Sequence, residues 1–113
     1  MACIFCQIAA GERPVHIVYE DDRAIAFRDI HPQAPTHILI IPRDHIDGPA
    51  EASADNEAVI GHLAVVAARV AADEGIAAGG YRLVLNQGRN GGQSVFHLHL
   101  HLLGGRRMGW PPG

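Results

Sequence analysis

The sequence contains no lysine, no block of basic residues and no long apolar run. Its nine basic residues are all arginines, its acidic residues number twelve, and its formal net charge is −3. A chain without a basic patch is not expected to have nucleic acid as a general partner. No apolar stretch approaches the roughly 20 residues of a membrane-spanning helix, and the opening residues MACIFCQIAAGERP lack the regions of a secretory signal. We therefore expect a cytoplasmic protein without membrane contact.

Cysteine is scarce as well. The sequence holds two cysteines, Cys3 and Cys6, which form one C-x-x-C. In a chain without a secretory signal, this spacing favours metal or redox chemistry over a structural disulfide. A disulfide is not needed, because a chain of 113 residues can bury well over half the surface that its unfolded form exposes. The length predicts a single domain over residues 1–113.

Local patterns predict two helices. The segment IFCQIAAGE favours a short helix that ends near Gly11 and Pro14. Residues 57–75 favour a long helix, with Asp55 as its N-cap and Gly75 as its stop. The apolar positions of the long helix recur at helical spacing; they are Ile60, Leu63, Ala64, Ala67, Val70 and Ala71.

Five segments have the composition of strands. VHIVYED and RAIAFRDI meet at Asp21-Asp22, which is a hairpin turn signal. THILIIP at residues 36–42, YRLVLN at 81–86 and HLHLHLL near the C-terminus follow. Because strands stand before and after one long helix, and short connections join neighbours, the predicted class is α+β with an antiparallel sheet.

Histidines occupy every second position in SVFHLHLHLLGG. On a strand, residues two apart lie on one face at roughly 6–7 Å, so His97, His99 and His101 would share a face. Phe96, Leu98, Leu100 and Leu102 would then line the other face. The row allows three interpretations, which are rings satisfied by water or hydrogen bonds, a metal site, and catalysis at an anionic centre.

A glycine-rich loop directly precedes this row. Gly88, Gly91 and Gly92 come just before Gln93 and Ser94, and glycines let successive backbone N–H groups converge on an anion. The loop favours a phosphoryl site over a bare metal site. His16 and His62 lie outside this region, and spacing suggests a partner for neither.

HLHLHLL matches the histidine triad signature, and the similarity extends over YEDDRAIAFRDIHPQAPTHILIIPRDHI and GYRLVLNQGRNGGQSVFHLHLHLLGGRRMGWPPG. The chain resembles the histidine triad (HIT) nucleotide-binding proteins of the Hint branch. The resemblance implies a five-stranded antiparallel sheet with one long and one short helix. It also implies a homodimer with a ten-stranded sheet, and a tail, RRMGWPPG, that reaches toward the partner's site; the alternative is a tail folded on its own subunit.

The activity that the resemblance implies is that of a purine nucleoside phosphoramidase. Such an enzyme cleaves the P–N bond of AMP or GMP derivatives through a nucleotidyl-histidine intermediate. The implied catalytic set is His37, Ser94, His97, His99 and His101. In that set His99 is the nucleophile and His101 contacts the phosphate, while Ser94 and Gln93 contact the phosphate and leaving group.

The resemblance also implies a set of nucleotide contacts. Asp29 would hold the ribose hydroxyls, and Ile30 would pack on the base. The remaining contacts would be Phe5, Ile8, Leu39, Asn86, Gly92, Gln93, Ser94, Val95, His99 and His101. The residues by themselves predict only core positions for Phe5, Ile8 and Leu39.

The C-x-x-C resembles the zinc-binding variant of the superfamily. That resemblance implies a zinc site of Cys3, Cys6, His45 and His97. Two sulfurs and two nitrogens form a closed tetrahedral site, which is structural and leaves the chemistry without a cofactor. The alternative is a pair of half-buried thiols, with His97 hydrogen-bonded to the backbone.

Other functions compete with phosphoramidate hydrolysis. One is dinucleoside polyphosphate hydrolysis or nucleotidyl transfer, although transferases of the superfamily carry His-Pro-His where this chain has Leu98. A second is a nucleotide-binding adaptor with incidental catalysis. A metal-storage or cupin-like role is the most distant, because no carboxylate joins the histidine row.

Overall fold

The computed structural model describes residues 3–113. Five strands, three helices and one 3-10 turn make up this part of the chain. In chain order they are α1 (Ile4–Ala9), β1 (Ile17–Glu20), β2 (Ala24–Arg28), β3 (Thr36–Pro42), the 3-10 turn (Pro49–Glu51), α2 (Glu57–Asp73), β4 (Tyr81–Leu85), α3 (Gly88–Gly91) and β5 (Leu100–Gly104). The predicted short and long helices are confirmed; α3 is a single turn inside the segment predicted to be a glycine-rich loop.

All five strands form one antiparallel sheet in the order β1-β2-β3-β5-β4. The last strand in the sequence is therefore inserted between β3 and β4. This insertion pairs Leu39 with His101 and His37 with Leu103. The histidine-bearing segment consequently lies beside the most buried strand of the sheet.

The sheet is covered on both faces, which explains why β2 and β3 read as continuous apolar runs. On one face α2 packs against Ala24, Ala26, Ile38 and Ile40. On the other face α1 contributes Phe5 and Ile8, which pack with the side chains Ile25, Phe27, Leu39 and Ile41. Burial of apolar surface of this kind stabilises a fold by about 25 cal/mol per Å².

Helix α2 follows the predicted pattern with two differences. Val66 is buried and Ala64 is exposed, so the apolar stripe lies slightly off the predicted one. Asn56 and not Asp55 is the N-cap residue. The predicted stop is confirmed, because Gly75 follows the C-cap with φ +76°, a conformation that glycine adopts without strain.

Strand β5 is shorter than predicted. It begins at Leu100, and Phe96 is exposed and does not lie on the apolar face. Pro42 ends the neighbouring strand β3 and has no N–H for a longer ladder. The backbone N–H of Leu98 instead donates to the carbonyl of Ile46 at 2.6 Å, so residues 97–99 are held by the loop after β3.

His62 has a partner that its sequence spacing did not suggest. Its Nε2 lies 2.6 Å from Asp21 Oδ2, which also accepts from the hydroxyl of Tyr19 at 2.9 Å. The other carboxylate oxygen of Asp21 accepts the backbone N–H groups of Arg23 and Ala24, each at 2.8 Å. Asp21 therefore closes the β1–β2 turn and ties it to α2.

This network predicts an acid-sensitive contribution to stability. Burial opposes ionisation of Asp21, but the hydrogen bonds, of which the His62 bond is the strongest, outweigh it and hold the pKa well below its usual range. Asp21→Asn is expected to lower the free energy of unfolding by about 2 kcal/mol at pH 7. A carboxylate whose pKa is lower in the folded protein than in the unfolded chain stabilises the fold at pH values above its unfolded pKa. The loss of stability caused by Asp21→Asn should therefore shrink as the pH falls below about 4.

Urea titrations between pH 3 and pH 7 check this expectation. Asp22→Asn is the matched control, because it makes the same change at the exposed neighbouring residue. Equal destabilisation by the two variants would contradict the role of Asp21.

No helix among residues 3–113 combines the length and apolar character that crossing a bilayer requires.

Candidate active site

The imidazoles converge where β3 and β5 lie side by side. The rings of His37 and His101 have centroids 5.2 Å apart, and those of His99 and His101 are 4.9 Å apart. The ring of Phe5 stands edge-on to His97 and His99, at 5.9 and 5.1 Å. The three histidines thus line one side of the chain as predicted, although only His101 belongs to the strand itself.

Hydrogen bonds determine which ring nitrogens of His37 and His101 carry protons. The backbone N–H of Gln33 donates to His37 Nδ1 at 3.0 Å, so the proton of the neutral His37 ring is on Nε2. That nitrogen lies 2.9 Å from His101 Nδ1 and donates to it. His101 therefore carries its own proton on Nε2.

Both rings are neutral at physiological pH. Burial lowers the pKa of His37, against the opposing effect of the Asp29 carboxylate. Burial, together with the neighbouring His99 and His37, lowers the pKa of His101 to about 4. Two neutral rings in series form a directional chain of donors, which ends at the N–H of His101 Nε2.

His99 is oriented by the main chain. Its Nδ1 lies 2.8 Å from the carbonyl oxygen of His97. A carbonyl can only accept, so Nδ1 carries the proton and Nε2 of the neutral ring carries a lone pair. The side chain is buried except for the part that lines the cavity described next. A lone pair held in this way is suited to nucleophilic attack.

A cavity of about 390 Å³ adjoins these rings, within the usual size range of small-molecule sites. Its floor is apolar and consists of Phe5, Ile8, Phe27 and Leu39. Its other lining residues are Ile4, Arg13, Pro14, Val15, Arg28, Asp29, Ile30, Ser94, Val95, His99 and His101. The cavity therefore joins an apolar compartment to a cluster of hydrogen-bonding groups.

Most of the predicted nucleotide contacts line this cavity, but Asn86, Gly92 and Gln93 do not. The Gln93 amide is buried and fully used. Its oxygen accepts from the N–H of Gly88 at 2.8 Å, and its nitrogen donates to the carbonyls of Asp47 and Val95 at 2.7 and 3.2 Å. Gln93 thus holds the loop in place, and contact of these three residues with a nucleotide stays a prediction.

The four predicted zinc ligands form a second cluster on the other side of Phe5. His97 Nδ1 lies 3.4 Å from Cys3 Sγ and 3.5 Å from Cys6 Sγ. His45 Nδ1 lies 3.4 Å from Cys6 Sγ. A tetrahedral zinc ion with ordinary Zn–S and Zn–N bonds separates its sulfur and nitrogen ligands by roughly 3.5 Å. The donor set and its spacing therefore fit zinc.

The hydrogen bonds of the two imidazoles agree with metal binding. His97 Nε2 donates to the carbonyl of Pro42 at 2.9 Å, and His45 Nε2 donates to Asp47 at 2.6 Å. In the neutral rings both Nδ1 atoms therefore direct lone pairs at the sulfurs, as in zinc sites whose ligands are fixed by outer partners. Burial raises the pKa of the Cys3 thiol, but hydrogen bonds from Cys6 outweigh it and lower the pKa overall.

Asp29, His37 and His101 form another group of metal-ligating side chains. The proton on His37 Nε2 argues against an ion there, because the nitrogen that faces His101 and Asp29 is a donor. Asp29 Oδ2 lies 3.4 Å from that nitrogen, and its other oxygen accepts the backbone N–H of His31 at 2.8 Å. The group is a hydrogen-bonded chain.

Fold and site together define an α+β domain in which a row of imidazoles borders an apolar cavity. The chain belongs to the HIT domain family, whose sequence model matches residues 10–108. It is 55% identical over 106 residues to the purine nucleoside phosphoramidase of Escherichia coli K12, with 94% of this chain and 89% of that protein covered.

Two further relatives describe the range of the similarity. A 14 kDa zinc-binding protein of Zea mays is 54% identical over 112 residues, with 97% of this chain and 87% of that protein covered. The crystal structure of a HIT family hydrolase from Legionella pneumophila Philadelphia 1 superposes with a TM-score of 0.97 at 51% identity, with 99% and 100% of the two chains covered.

Proposed function

We propose that the protein hydrolyses the P–N bond of purine nucleoside 5′-phosphoramidates. The observation that carries the proposal is the orientation of His99, whose Nδ1–H is bound by the His97 carbonyl at 2.8 Å while Nε2 keeps its lone pair. This side chain and that of His101 line the same cavity. The E. coli relative, a purine nucleoside phosphoramidase, supports the choice of bond.

A nucleotide would lie along the cavity with its phosphate at the imidazoles. The purine would occupy the compartment of Phe5, Ile8 and Leu39. Asp29 would accept the ribose hydroxyls, because its Oδ2 makes only a long contact of 3.4 Å with His37. The fixed N–H of His101 would donate to a non-bridging phosphate oxygen, where donors aimed at developing charge contribute most.

The reaction would take two displacements. In the first, the lone pair of His99 Nε2 forms a bond to phosphorus while the P–N bond breaks, and the amine leaves with a proton. Ser94 lines the cavity and would pass this proton to the amine. In the second, the oxygen of a water molecule bonds to phosphorus while one of its protons returns to the group that protonated the amine, the Nε2–P bond breaks, and the nucleoside monophosphate and neutral His99 result.

Three substrates test the proposal. An AMP–amine conjugate should be turned over at least about 100-fold faster, in kcat/KM, than a dinucleoside polyphosphate or a nucleoside diphosphate sugar, a difference of about 3 kcal/mol in the barrier. Release of AMP is measured under identical conditions. Faster cleavage of the dinucleoside polyphosphate or of the nucleoside diphosphate sugar would replace phosphoramidate hydrolysis by polyphosphate hydrolysis or nucleotidyl transfer. Binding of AMP without turnover of any substrate would favour a nucleotide-binding adaptor.

A structural zinc ion is part of the proposal. Cys3, Cys6, His45 and His97 would hold it, and the zinc-binding protein of Zea mays supports this assignment. With two sulfur and two nitrogen ligands the ion would have no open position, so it would tie α1 to the histidine segment. The chemistry belongs to the imidazoles, and Phe5, between the two cysteines, forms the wall shared by both sites.

We also propose that the protein is a homodimer built on strand β4. This strand is an outer edge of the sheet, and its side chains Tyr81, Leu83 and Leu85 are 37–39% exposed. On α2, Val65 is a further exposed apolar residue. Two β4 edges that pair would give a continuous sheet of ten strands. The tail lies nearby, because Arg82 of β4 donates to the carbonyl of Gly109 at 2.7 Å and Trp110 is 83% exposed.

Leu83→Arg is expected to weaken the dimer at least about 10-fold, because it places a charge on the apolar face of the paired edge. Sedimentation across a concentration series measures the effect. Ile17→Arg makes the same change at an equally exposed apolar residue of β1, the opposite edge, and should leave the dimer intact. A wild-type protein that sediments as a monomer at micromolar concentration would overturn the assembly.

A further inference from the structure

Arg13 lines the nucleotide cavity from the segment between α1 and β1. Its Nε donates to the side-chain oxygen of Gln7 at 3.3 Å, which orients the guanidinium. Its two terminal nitrogens make no hydrogen bond or ion pair within residues 3–113. A fork of N–H donors therefore stands at the wall of a cavity whose floor is apolar.

The other arginine of the cavity lining is engaged elsewhere. The guanidinium of Arg28 makes two contacts of 2.9 Å with the carboxylate of Glu74, at the end of α2. This two-pronged ion pair on the α2 face of the sheet consumes its directional donors. In the described part of the chain, Arg13 is thus the cation that remains for a ligand in this cavity.

The sheet order indicates which part of a nucleotide would meet Arg13. The phosphate-binding imidazoles belong to the β3 and β5 region, and Asp29 follows the end of β2. Arg13 and Val15 precede β1, the outer strand on the far side of β2. Strands are about 4.8 Å apart, so phosphate, ribose and base would succeed one another toward the β1 edge. The base would then lie next to Arg13.

We propose that Arg13 makes this site prefer 6-oxopurine nucleotides, those of guanine and hypoxanthine, over adenine nucleotides. The inference rests on the proposed function of the cavity. A 6-oxopurine presents two adjacent acceptors, O6 and N7, and arginine donates to both. Adenine presents N7 beside an amino group, which is itself a donor and repels the fork.

Calorimetric titration with GMP, IMP and AMP tests the proposal on the full chain. GMP and IMP should bind with similar affinity, because both carry O6 and N7, and about 5- to 10-fold more tightly than AMP. Arg13→Met should remove this preference by weakening GMP and IMP while leaving AMP within about 2-fold. Arg13→Lys keeps the charge but loses the fork, and should keep less than half of the preference.

Arg69→Met is the matched control, because it removes an exposed arginine from the outer face of α2, away from the cavity lining. Arg69→Met should bind GMP, IMP and AMP in the same order of affinity as the wild-type protein. An unchanged ratio of AMP to GMP affinity in Arg13→Met would overturn the role of Arg13 and leave the proposed function standing. Failure of all three nucleotides to bind the wild-type protein would instead overturn the proposed function.

Discussion

His99→Ala should abolish turnover of an AMP–amine conjugate, with a loss of about 10⁴-fold or more in kcat. The side chain supplies the lone pair that attacks phosphorus, and no other group at the cavity holds one in the same place. Stopped assays that measure AMP release give the rate. The expected size exceeds that of any other substitution discussed, because the covalent route itself disappears.

Controls separate this loss from unfolding. His99→Ala removes one hydrogen bond and the edge contact with Phe5, so the melting temperature should fall by only a few degrees. His16→Ala, an exposed histidine outside the cavity lining, should keep full activity. His99→Gly should regain part of its turnover when imidazole is added. A folded His99→Ala protein with near wild-type activity would remove His99 from the role of nucleophile.

Removal of zinc should have the largest effect on stability. Protein expressed with zinc should contain one ion per chain by metal analysis, and chelation should lower its melting temperature by roughly 15 °C. This corresponds to about 4 kcal/mol, the stabilisation given by free ligand at about 1,000 times its Kd. Thiolates and neutral imidazoles are the ligands that such a site requires.

Cys3→Ser should lower the melting temperature of protein expressed with zinc, as chelation does for the wild-type protein. Chelation of the Cys3→Ser protein should then lower its melting temperature little further. Specific activity at moderate temperature should change less than stability, because the ligands other than His97 lie outside the set of groups proposed to react. Protein without zinc after zinc-supplemented expression, with a melting temperature unaffected by chelator, would leave Cys3 and Cys6 as ordinary thiols.

The sequence predicts features that depend on local pattern and misses those that depend on tertiary contact. Alternation of histidine and leucine predicts the shared face of the imidazoles, and helical spacing predicts α2. The predicted start of β5 is wrong because Pro42, far away in sequence, ends the neighbouring strand β3 and with it the ladder of hydrogen bonds. The sequence does not indicate the partner of His62, because Asp21 is 41 residues away, a separation at which no periodicity operates.

At the site, the sequence indicates which residues lie close together better than it indicates what each side chain contacts. Glycines and a polar pair suggested that the loop before the triad cradles a phosphate, yet Gln93 turns its amide inward to the carbonyls of Asp47 and Val95. The sequence does not single out Arg13, because a lone arginine beside a proline forms no pattern. Only the packing of α1 over the sheet brings it to the cavity.

The two edges of the sheet are unlike each other, and the difference limits growth. The register between β1 and β2 shifts between Ile17 and Tyr19, an irregularity that disrupts the ladder and discourages pairing with a further strand. Strand β4 pairs with β5 in unbroken register over all five of its residues. Of the two edges, β4 is therefore the one that favours pairing with a second copy, and β1 is the one that disfavours it. In the proposed dimer, pairing about a two-fold axis would occupy the β4 edge and leave, within residues 3–113, the irregular β1 edge, which disfavours further growth of the sheet by strand addition.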